Sequence, residues 1–297
     1  MSEGSPTLRP RRSVLYMPGI NTRAMEKAKT LDCDGVILDL EDAVAPDDKE
    51  RARQLVADAV RAGGFGHREV AIRVNRLDTR WGREDVAAAV AAGPDAILLP
   101  KVESAAELAE LARLVDEAGG ENLACWAMIE TPRGILAVPE IAAHPRLAVL
   151  VMGTSDLAKE LNARHVPGRE PFLYALERAV LAARAHGRAI LDGVFLDLAD
   201  EEGLRAECEQ GRNMGFDGKT LIHPRQIAAA NAAFAPTPEE VEEARAIIAA
   251  YEEALAAGRG IAVLRGRLIE NLHVETARRT LALAEAIAAR SASSPAS

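Results

Sequence analysis

The sequence predicts an α/β protein built on a parallel (β/α)8 barrel, a TIM barrel, with extra helices at its C-terminal end. Eight short apolar runs alternate with helical patterns along the chain, as expected for repeated strand–helix units. The runs are continuously apolar, which is typical of strands covered on both faces. An open doubly wound sheet is the alternative, but no Gly-x-Gly-x-x-Gly follows the first run. We therefore favour the barrel.

The eight predicted strands are recognised by Val, Ile and Leu runs that end in polar residues or proline. The first is Ser-Val-Leu-Tyr-Met-Pro and the last is Phe-Asp-Gly-Lys-Thr-Leu-Ile. In order they cover 13–18, 35–41, 69–75, 96–101, 123–130, 147–153, 189–194 and 216–222.

The intervening helices are predicted where apolar residues recur every three to four positions. They cover 22–31, 48–62, 83–92, 104–118, 134–143, 171–187, 200–214 and 224–233. The barrel is thus expected over residues 11–234, after a flexible N-terminus at 1–10.

Residues 235–290 are predicted to form a C-terminal helical appendage that packs on the barrel or on a neighbouring subunit. One helical face is expected within 238–257, followed by a strand-like segment at 261–264, a turn at 265–267 and a last helix at 273–289. The small polar residues at 291–297 are expected to be disordered. The helical face carries Val241, Ala244, Ile248, Tyr251 and Leu255.

Composition narrows the function classes. The 297 residues carry a formal net charge of −9, which argues against a nucleic-acid-binding surface. No run of about 18 apolar residues is present, so no membrane-spanning segment is expected. Cys33, Cys125 and Cys208 are widely spaced and predict buried, reduced thiols in a cytoplasmic protein.

Polar side chains gather where the predicted strands end, which is the edge at which barrel enzymes carry their active sites. We expect these side chains to form a ring around the barrel mouth. Its members are Tyr16, Asp39, Glu41, Asp42, Arg73, Asn75, Lys101, Glu103, Glu130, Asp156, Asp192 and His223.

Glu130 and Asp156 follow the fifth and sixth strands. Because neighbouring strands lie about 5 Å apart, the two carboxylates can converge on one hard cation. Mg²⁺ typically takes one or two protein carboxylates and leaves positions for water and substrate oxygens. Helix N-capping is the alternative, which suits Asp156 better than Glu130. No His or Cys accompanies the pair, so zinc is not expected.

Arg73 stands inside an apolar strand and needs an acceptor. It can form an internal salt bridge to Glu41 or Asp42, or clamp a substrate carbonyl or carboxylate in a bidentate manner. The two roles are compatible.

Lysine is rare in this chain, so Lys101 and Lys219 stand out near strand ends. One interpretation is a Schiff-base aldolase, in which a desolvated lysine attacks a carbonyl. The other, which we prefer, is a structural ammonium, with Lys101 paired to Glu103.

The helix at 22–31 begins beside the first strand end and carries Arg23 and Lys27 one turn apart. A helix N-terminus next to two cations favours phosphate binding. A solvated basic face is the alternative.

Seven motifs in one order resemble those of the citrate lyase β-subunit-like proteins of the HpcH/HpaI aldolase superfamily, relatives of malyl-CoA and citramalyl-CoA lyases. The similarity runs from about residue 11 to 289. The motifs are Arg12-Ser-Val-Leu-Tyr-Met-Pro-Gly19, Asp39-Leu-Glu-Asp42, Arg73-Val-Asn75, Leu99-Pro-Lys-Val-Glu103, Ile129-Glu-Thr131, Gly153-Thr-Ser-Asp156 and Gly218-Lys-Thr-Leu-Ile-His-Pro224.

The resemblance implies a homotrimeric barrel whose substrate contains coenzyme A. It implies that Glu130 and Asp156 hold Mg²⁺, with Glu130 also at the substrate, and that Arg73 faces the thioester or enolate oxygen and the oxo acid. In these relatives a C-terminal acid, often Asp, serves a neighbour's site; here the matching residue is Glu270. The coenzyme A contacts it implies are Tyr16, Arg23, Lys27 and His223.

The expected function is a Mg²⁺-dependent carbon–carbon lyase that cleaves citramalyl-CoA or malyl-CoA to acetyl-CoA and a 2-oxo acid, reversibly. The nearest alternative is a citrate lyase β subunit acting on citryl thioesters, which would add acyl carrier protein as a partner. A Schiff-base aldolase and a non-catalytic scaffold barrel are further alternatives.

Overall fold

The computed structural model describes residues 8–293, with side chains described through residue 290. Most of the expected flexible N-terminus, residues 1–7, and residues 294–297 of the expected tail lie outside the described residues. Two compact units are present, a barrel at Arg11–Phe234 and a second unit that begins at Ala235. No helix in the described part of the chain has the length and apolar content needed to cross a bilayer.

The barrel is closed and parallel, with each strand paired to its neighbours in sequence and β8 paired to β1. The (β/α)8 prediction is therefore confirmed. The strands are β1 (Ser13–Pro18), β2 (Gly35–Asp39), β3 (Glu69–Arg73), β4 (Ala96–Leu99), β5 (Ala124–Ile129), β6 (Leu147–Met152), β7 (Ala189–Asp192) and β8 (Gly218–Leu221).

Helices separate the strands, and one of them was not predicted from the sequence. It spans residues 154–161, directly after β6, where only a possible N-cap was recognised. The helices are α1 (Thr22–Ala28), α2 (Lys49–Ala62), α3 (Gly82–Ala92), α4 (Ala105–Glu117), α5 (Pro132–Ala142), α6 (Thr154–Leu161), α7 (Leu173–Ala185), α8 (Glu201–Met214) and α9 (Ile227–Phe234).

Several strands end earlier than predicted, because the polar residues after their apolar runs belong to loops. β2 stops at Asp39 and β3 at Arg73, so Glu41 and Asn75 lie just beyond the sheet. The register pairs Asp39 with Arg73 across β2 and β3, and Ile129 with Met152 across β5 and β6. The strand ends that carry the polar ring therefore share one rim of the barrel.

The core has two layers, as a barrel strand buried on both faces requires. Inside the barrel lies a cluster that includes Val14, Ile37, Leu98 and Trp126. Between the strands and the helices lies a larger aliphatic cluster. Alternate residues of each strand supply the two layers, which explains why the sequence shows unbroken apolar runs.

The second unit contains α10 (Pro238–Ala256), β9 (Ala262–Leu264), β10 (Arg267–Ile269) and α11 (Asn271–Ser293). Thr237 and Glu240 form a capping box that starts α10. β9 and β10 form an antiparallel hairpin, whose second strand was not predicted. α11 starts two residues earlier than predicted and continues into the expected tail. The small hydrophobic core of this second unit is formed by Ala254, Ala262, Ile269 and Val274.

Candidate active site

Glu130 and Asp156 reach the same point from two neighbouring strands. Glu130 directly follows β5, and Asp156 lies in the first turn of α6, just after β6. Their carboxylate oxygens lie 3.9 and 3.1 Å from Lys101 Nζ. Both carboxylates therefore face the same ammonium group, so the two side chains point to a common position.

Gly153 makes this convergence possible. A Cβ at this position would lie 2.4 Å from both Cβ and Oε2 of Glu130, a distance that carbon atoms do not reach. Only glycine lets the end of β6 pass so close to Glu130. Thr131 then caps α5 by accepting a hydrogen bond from Gly134 N at 3.0 Å, so neither acid is consumed as a side-chain N-cap.

Lys101 lies at the centre of the acidic cluster, and its predicted pairing with Glu103 is wrong. Its ammonium lies 2.6 Å from Glu41 Oε1 and 3.1 Å from Asp156 Oδ2. Glu103 instead lies 3.8 Å from Arg133. Lys101 adopts a left-handed backbone conformation with φ of 50°, which turns its side chain back into the ring.

Arg73 is held by a bidentate salt bridge to Asp39. The Nε–Oδ1 and Nη2–Oδ2 distances are 2.6 and 2.7 Å. The sequence suggested Glu41 or Asp42 as partners; these lie 3.1 and 3.5 Å from Nη1 and are secondary. Tyr16 covers the guanidinium, with its ring centre 5.0 Å from Arg73 Cζ. Nη1 is the guanidinium nitrogen of Arg73 that does not bind Asp39.

Burial controls the charges in this cluster. Glu130 is only 1% exposed, and desolvation raises its pKa from 4.5 to about 8, although Lys101 and Arg73 oppose that shift. Burial also raises the pKa of Glu41. For Asp39 burial is outweighed by Arg73, and the pKa is lowered. Asp39 and Arg73 thus stay ionised, whereas Glu130 is poised to gain or lose a proton near neutral pH.

A cavity of about 370 Å³ opens at this rim. One side is acidic and the other is apolar, formed by residues from the ends of β5, β6, β7 and β8. No His or Cys occurs among the described residues that line it. The lining residues are Tyr16, Pro18, Asp39, Asp42, Ala43, Arg73, Met128, Glu130, Met152, Gly153, Thr154, Ser155, Asp156, Val194, Leu196 and Ile222.

The donor set fits a magnesium ion. Among residues 8–293, no group of three or more His, Cys, Asp and Glu side chains could hold a metal ion. Mg²⁺, however, needs only one or two carboxylates and retains water or takes substrate oxygens at its other positions. Glu130 and Asp156 supply two such carboxylates, and the cation Lys101 already lies between them. The chemistry of this pair therefore favours a hard, oxygen-binding ion.

Asp192, expected in the ring, lies outside it. Its carboxylate lies 2.7 Å from Arg169 Nη1 and 3.1 Å from Lys219 Nζ, and Lys219 also contacts Glu207 of α8 at 2.6 Å. A Cβ added at Gly211 of α8 would lie 2.8 Å from Asp192 Oδ2. This buried ion cluster therefore fills the layer between the last two strands and α8.

The lysine geometry argues against a Schiff-base enzyme. A nucleophilic lysine must be deprotonated, which normally requires burial without a compensating carboxylate. Burial lowers the pKa of Lys101 and Lys219, but the adjacent carboxylates outweigh it and raise both pKa values. Both side chains are held as ammonium ions.

The remaining predicted site residues lie outside the cavity lining. Arg23 and Lys27 are exposed on α1. His223 accepts a hydrogen bond from Arg225 N at 3.1 Å and caps a short 3-10 helix. Glu270 is exposed in the second unit, just before α11, and its backbone N–H donates to His273 Nδ1 at 3.0 Å.

Two features of the site were missed from the sequence, the Arg73–Asp39 pair and the central position of Lys101. Strand register contains the first signal, since Asp39 and Arg73 are direct neighbours across β2 and β3. The second signal is the rarity of lysine together with the position of Lys101, which lies just after β4, the strand that pairs with β5.

The chain is similar to several known proteins over most of its length. A sequence profile described as HpcH/HpaI aldolase/citrate lyase matches residues 12–224. The (3S)-malyl-CoA thioesterase of Cereibacter sphaeroides (strain KD131 / KCTC 12085) is 56% identical over 284 residues, which cover 96% of this chain and 98% of that protein. The L-malyl-CoA/beta-methylmalyl-CoA lyase of Cereibacter sphaeroides (strain ATCC 17029 / ATH 2.4.9) is 36% identical, with 96% and 98% covered.

A solved structure shares the fold. Protein CitE from Mycobacterium tuberculosis, in complex with magnesium, acetoacetate and coenzyme A, superposes with a TM-score of 0.77 at 30% identity. The match covers 94% of this chain and 100% of that one.

Proposed function

The chain belongs to the HpcH/HpaI aldolase/citrate lyase family, and we therefore propose that it is a Mg²⁺-dependent enzyme that hydrolyses a malyl-CoA-type thioester. The observation that carries this proposal is the 56% identity to a (3S)-malyl-CoA thioesterase over nearly the whole of both chains. The carbon–carbon lyase expected from the sequence becomes the second candidate.

The rim of the barrel offers what such a substrate needs. A malyl group has a carboxylate, a hydroxyl and a thioester carbonyl, which are oxygen donors suited to a hard cation. Glu130 and Asp156 would hold Mg²⁺, which acts as a Lewis acid on bound oxygens. The apolar wall at Val194, Leu196 and Ile222 would contact the uncharged part of the substrate.

Arg73 is placed to stabilise an oxyanion. Asp39 fixes two of its nitrogens, so the guanidinium plane cannot rotate, and Nη1 remains close to the acidic rim. Negative charge that develops on a thioester oxygen is best stabilised by a cation already oriented before the reaction. Burial acts to lower the pKa of Arg73, but Asp39 outweighs it and the pKa is raised, so the cation persists throughout turnover.

Hydrolysis at this site would proceed by direct attack of water. No His or Cys among the described lining residues could form a nucleophile–base pair. A rim carboxylate would accept a proton as the water oxygen bonds to the thioester carbon. The carbon–sulfur bond then breaks, and the coenzyme A thiolate leaves with a proton. We propose Glu270 of a neighbouring subunit as the donor of that proton.

Coenzyme A would lie along α1. Tyr16 lines the cavity, and the exposed cations Arg23 and Lys27 are available to phosphate groups. His223 belongs to the loop after β8, the strand that pairs with β1. The CitE complex, which contains coenzyme A, supports placing a coenzyme A site in this fold.

Carbon–carbon cleavage is the second candidate because a malyl-CoA lyase is 36% identical over the same length. In that reaction a rim carboxylate would accept the proton of the substrate hydroxyl as the bond between the hydroxyl-bearing carbon and the α-carbon of the thioester breaks. The hydroxyl-bearing carbon becomes the carbonyl of the 2-oxo acid, and the electron pair of the broken bond forms an enolate whose oxygen Arg73 can stabilise. An acid such as Glu270 then protonates the carbanion, giving acetyl-CoA and a 2-oxo acid. A citryl thioester is the corresponding substrate if the chain acts as a citrate lyase subunit.

Product analysis separates these candidates. The purified protein, with Mg²⁺ and (3S)-malyl-CoA, is followed by thiol titration for free coenzyme A and by phenylhydrazine trapping for glyoxylate. Hydrolysis predicts one equivalent of thiol and no hydrazone. Hydrazone with acetyl-CoA and no free thiol would establish the lyase instead, and citryl-CoA is assayed in parallel.

A further inference from the structure

One ammonium group lies within 4 Å of four carboxylates in the acidic cluster. Lys101 Nζ lies 2.6 Å from Glu41, 3.1 Å from Asp156, 3.6 Å from Asp42 and 3.9 Å from Glu130. A surface ion pair uses one carboxylate, whereas here four converge on a single cation. Two of the four are the proposed metal-binding acids.

The backbone of Lys101 enforces this position. Its φ of 50° lies in the left-handed region, which a side chain with a Cβ rarely adopts. In the same conformation its backbone N–H donates a 2.9 Å hydrogen bond to Glu130 Oε1. Such strain persists only where the surroundings impose it, and it concentrates at functional sites.

The side chain also has space to move. Lys101 borders a second cavity of about 330 Å³, formed by the loops after β3 and β4. Its wall carries the acids Asp78, Glu107 and Glu110, which pair with Arg76 and Arg83 of the same wall. An ammonium displaced from Asp156 therefore has space beside it to enter.

We propose that Lys101 is a built-in counter-cation that competes with Mg²⁺ for Asp156 and Glu130. In the metal-free protein it holds the carboxylates together, and on metal binding its ammonium withdraws from Asp156 while keeping Glu41. The reason is Coulombic, since two cations within about 4 Å of one carboxylate repel each other. The inference rests on the proposed function only in taking Glu130 and Asp156 as the metal-binding pair.

The test is calorimetric titration of Mg²⁺ into the metal-stripped, full-length protein at fixed ionic strength and at a fixed pH well above 8, so that proton binding at Glu130 does not mask the effect. Lys101→Met should bind Mg²⁺ roughly tenfold more tightly than wild type, because it lacks the competing charge. Lys101→Gln should behave in the same way. Lys159→Met is the matched control: it removes an exposed lysine from α6, the helix of Asp156, and should leave the dissociation constant within about twofold.

A thermal readout accompanies the titration. In excess EDTA the Lys101→Met variant should melt below wild type, since its carboxylates lack a counter-charge, and Mg²⁺ should raise its Tm more than it raises that of wild type. A neutral variant that folds only with Mg²⁺ supports the proposal. Unchanged or weaker Mg²⁺ affinity in the neutral variants, or failure to fold even with Mg²⁺, overturns it.

The metal site is tested separately with Asp156→Asn. Loss of the binding heat in this variant shows that the metal-binding pair is correctly assigned, whatever Lys101 does. If Asp156→Asn binds Mg²⁺ like wild type, the metal site of the proposed function has failed, independently of the lysine variants.

Discussion

At the scale of single residues, the chemistry depends on two carboxylates in unlike surroundings. Glu130 is buried at the end of β5, whereas the Asp156 side chain is 21% exposed at the start of α6. One acid is therefore desolvated and the other is partly hydrated. A hard cation bound between them would compensate the burial of Glu130 while remaining accessible to substrate oxygens.

Replacing either acid should remove turnover without unfolding the barrel. We expect Glu130→Gln and Asp156→Asn to lower kcat/KM for the thioester by about a thousandfold or more, because metal and substrate would lose a ligand. Steady-state kinetics with saturating Mg²⁺ provide the measurement, and circular dichroism checks the fold. Glu160→Gln, an exposed change on α6, is the control. Activity near the wild-type value in either variant would contradict the metal role.

The raised pKa of Glu130 predicts a pH-dependent metal affinity. Burial raises this pKa from 4.5 to about 8, so below pH 8 the carboxyl is largely protonated in the metal-free protein. Mg²⁺ must displace that proton. The Mg²⁺ association constant should rise about tenfold per pH unit up to about pH 8 and level off above it. Calorimetry at several pH values measures the association constant, and a constant value from pH 6 to 9 would contradict this prediction.

The same group links folding to pH. Its pKa in the folded protein lies above the unfolded value of 4.5, so the folded state binds the proton more tightly. The favourable contribution of Glu130 to the free energy of unfolding is complete below pH 4.5, and it is lost as the pH rises through about 8. In EDTA, Glu130→Gln should therefore flatten this part of the stability profile, which denaturant titration at several pH values would show.

The sequence predicted the identity of the site residues better than their contacts. Glu130, Asp156, Arg73 and Tyr16 all line one cavity, because strand ends in a parallel barrel share one rim. The partner of Lys101 could not be read from sequence spacing. It depends on a left-handed backbone conformation that nothing in the local sequence requires.

At the scale of secondary structure elements, one short helix determines where Asp156 lies. α6 has only eight residues, yet its first turn positions Asp156. An acid in the first turn also interacts favourably with the helix dipole. This helix was missed because its amphipathic pattern is too short to be distinguished from a loop. Strand ends were overestimated because the predicted strands included polar residues after the apolar runs, such as Glu41 and Asn75, which belong to loops.

Breaking the buried ion cluster of Asp192, Arg169 and Lys219 should be strongly destabilising, because it leaves buried charges uncompensated. Asp192→Ala would leave Lys219 and Arg169, both buried, with fewer compensating charges. We expect a loss of about 3–5 kcal/mol in the free energy of unfolding. Glu209→Gln, an exposed change on α8, should stay within about 0.5 kcal/mol. Urea denaturation measures the free energy of unfolding of both variants, and equal midpoints would contradict the prediction.

At the scale of the whole molecule, the barrel was predictable because its pattern repeats eight times, so errors at single boundaries do not change the topology. The C-terminal unit was less predictable, since its hairpin has strands of only three residues. Its exposed apolar side chains include Ile261, Val263, Leu268 and Leu272. Exposed apolar groups of this kind are typical of surfaces that contact another chain.

We predict a homotrimer in which Glu270 of one subunit serves the site of another. Glu270→Gln and Asp156→Asn should each be inactive alone. Trimers co-expressed from both variants should recover up to about a quarter of wild-type activity, because some sites combine the intact Asp156 of one variant with the intact Glu270 of the other. Light scattering measures the mass of the same samples. A monomer, or mixed oligomers without recovered activity, would contradict the exchange.

The most direct test of the metal pair is a crystal soaked in Mn²⁺, which replaces Mg²⁺ in oxygen sites and scatters anomalously. We predict one strong anomalous peak between Glu130 and Asp156, within about 2.2 Å of an oxygen from each. A peak bound by only one of these acids, or no peak at this rim in a well-occupied crystal, would contradict the shared site.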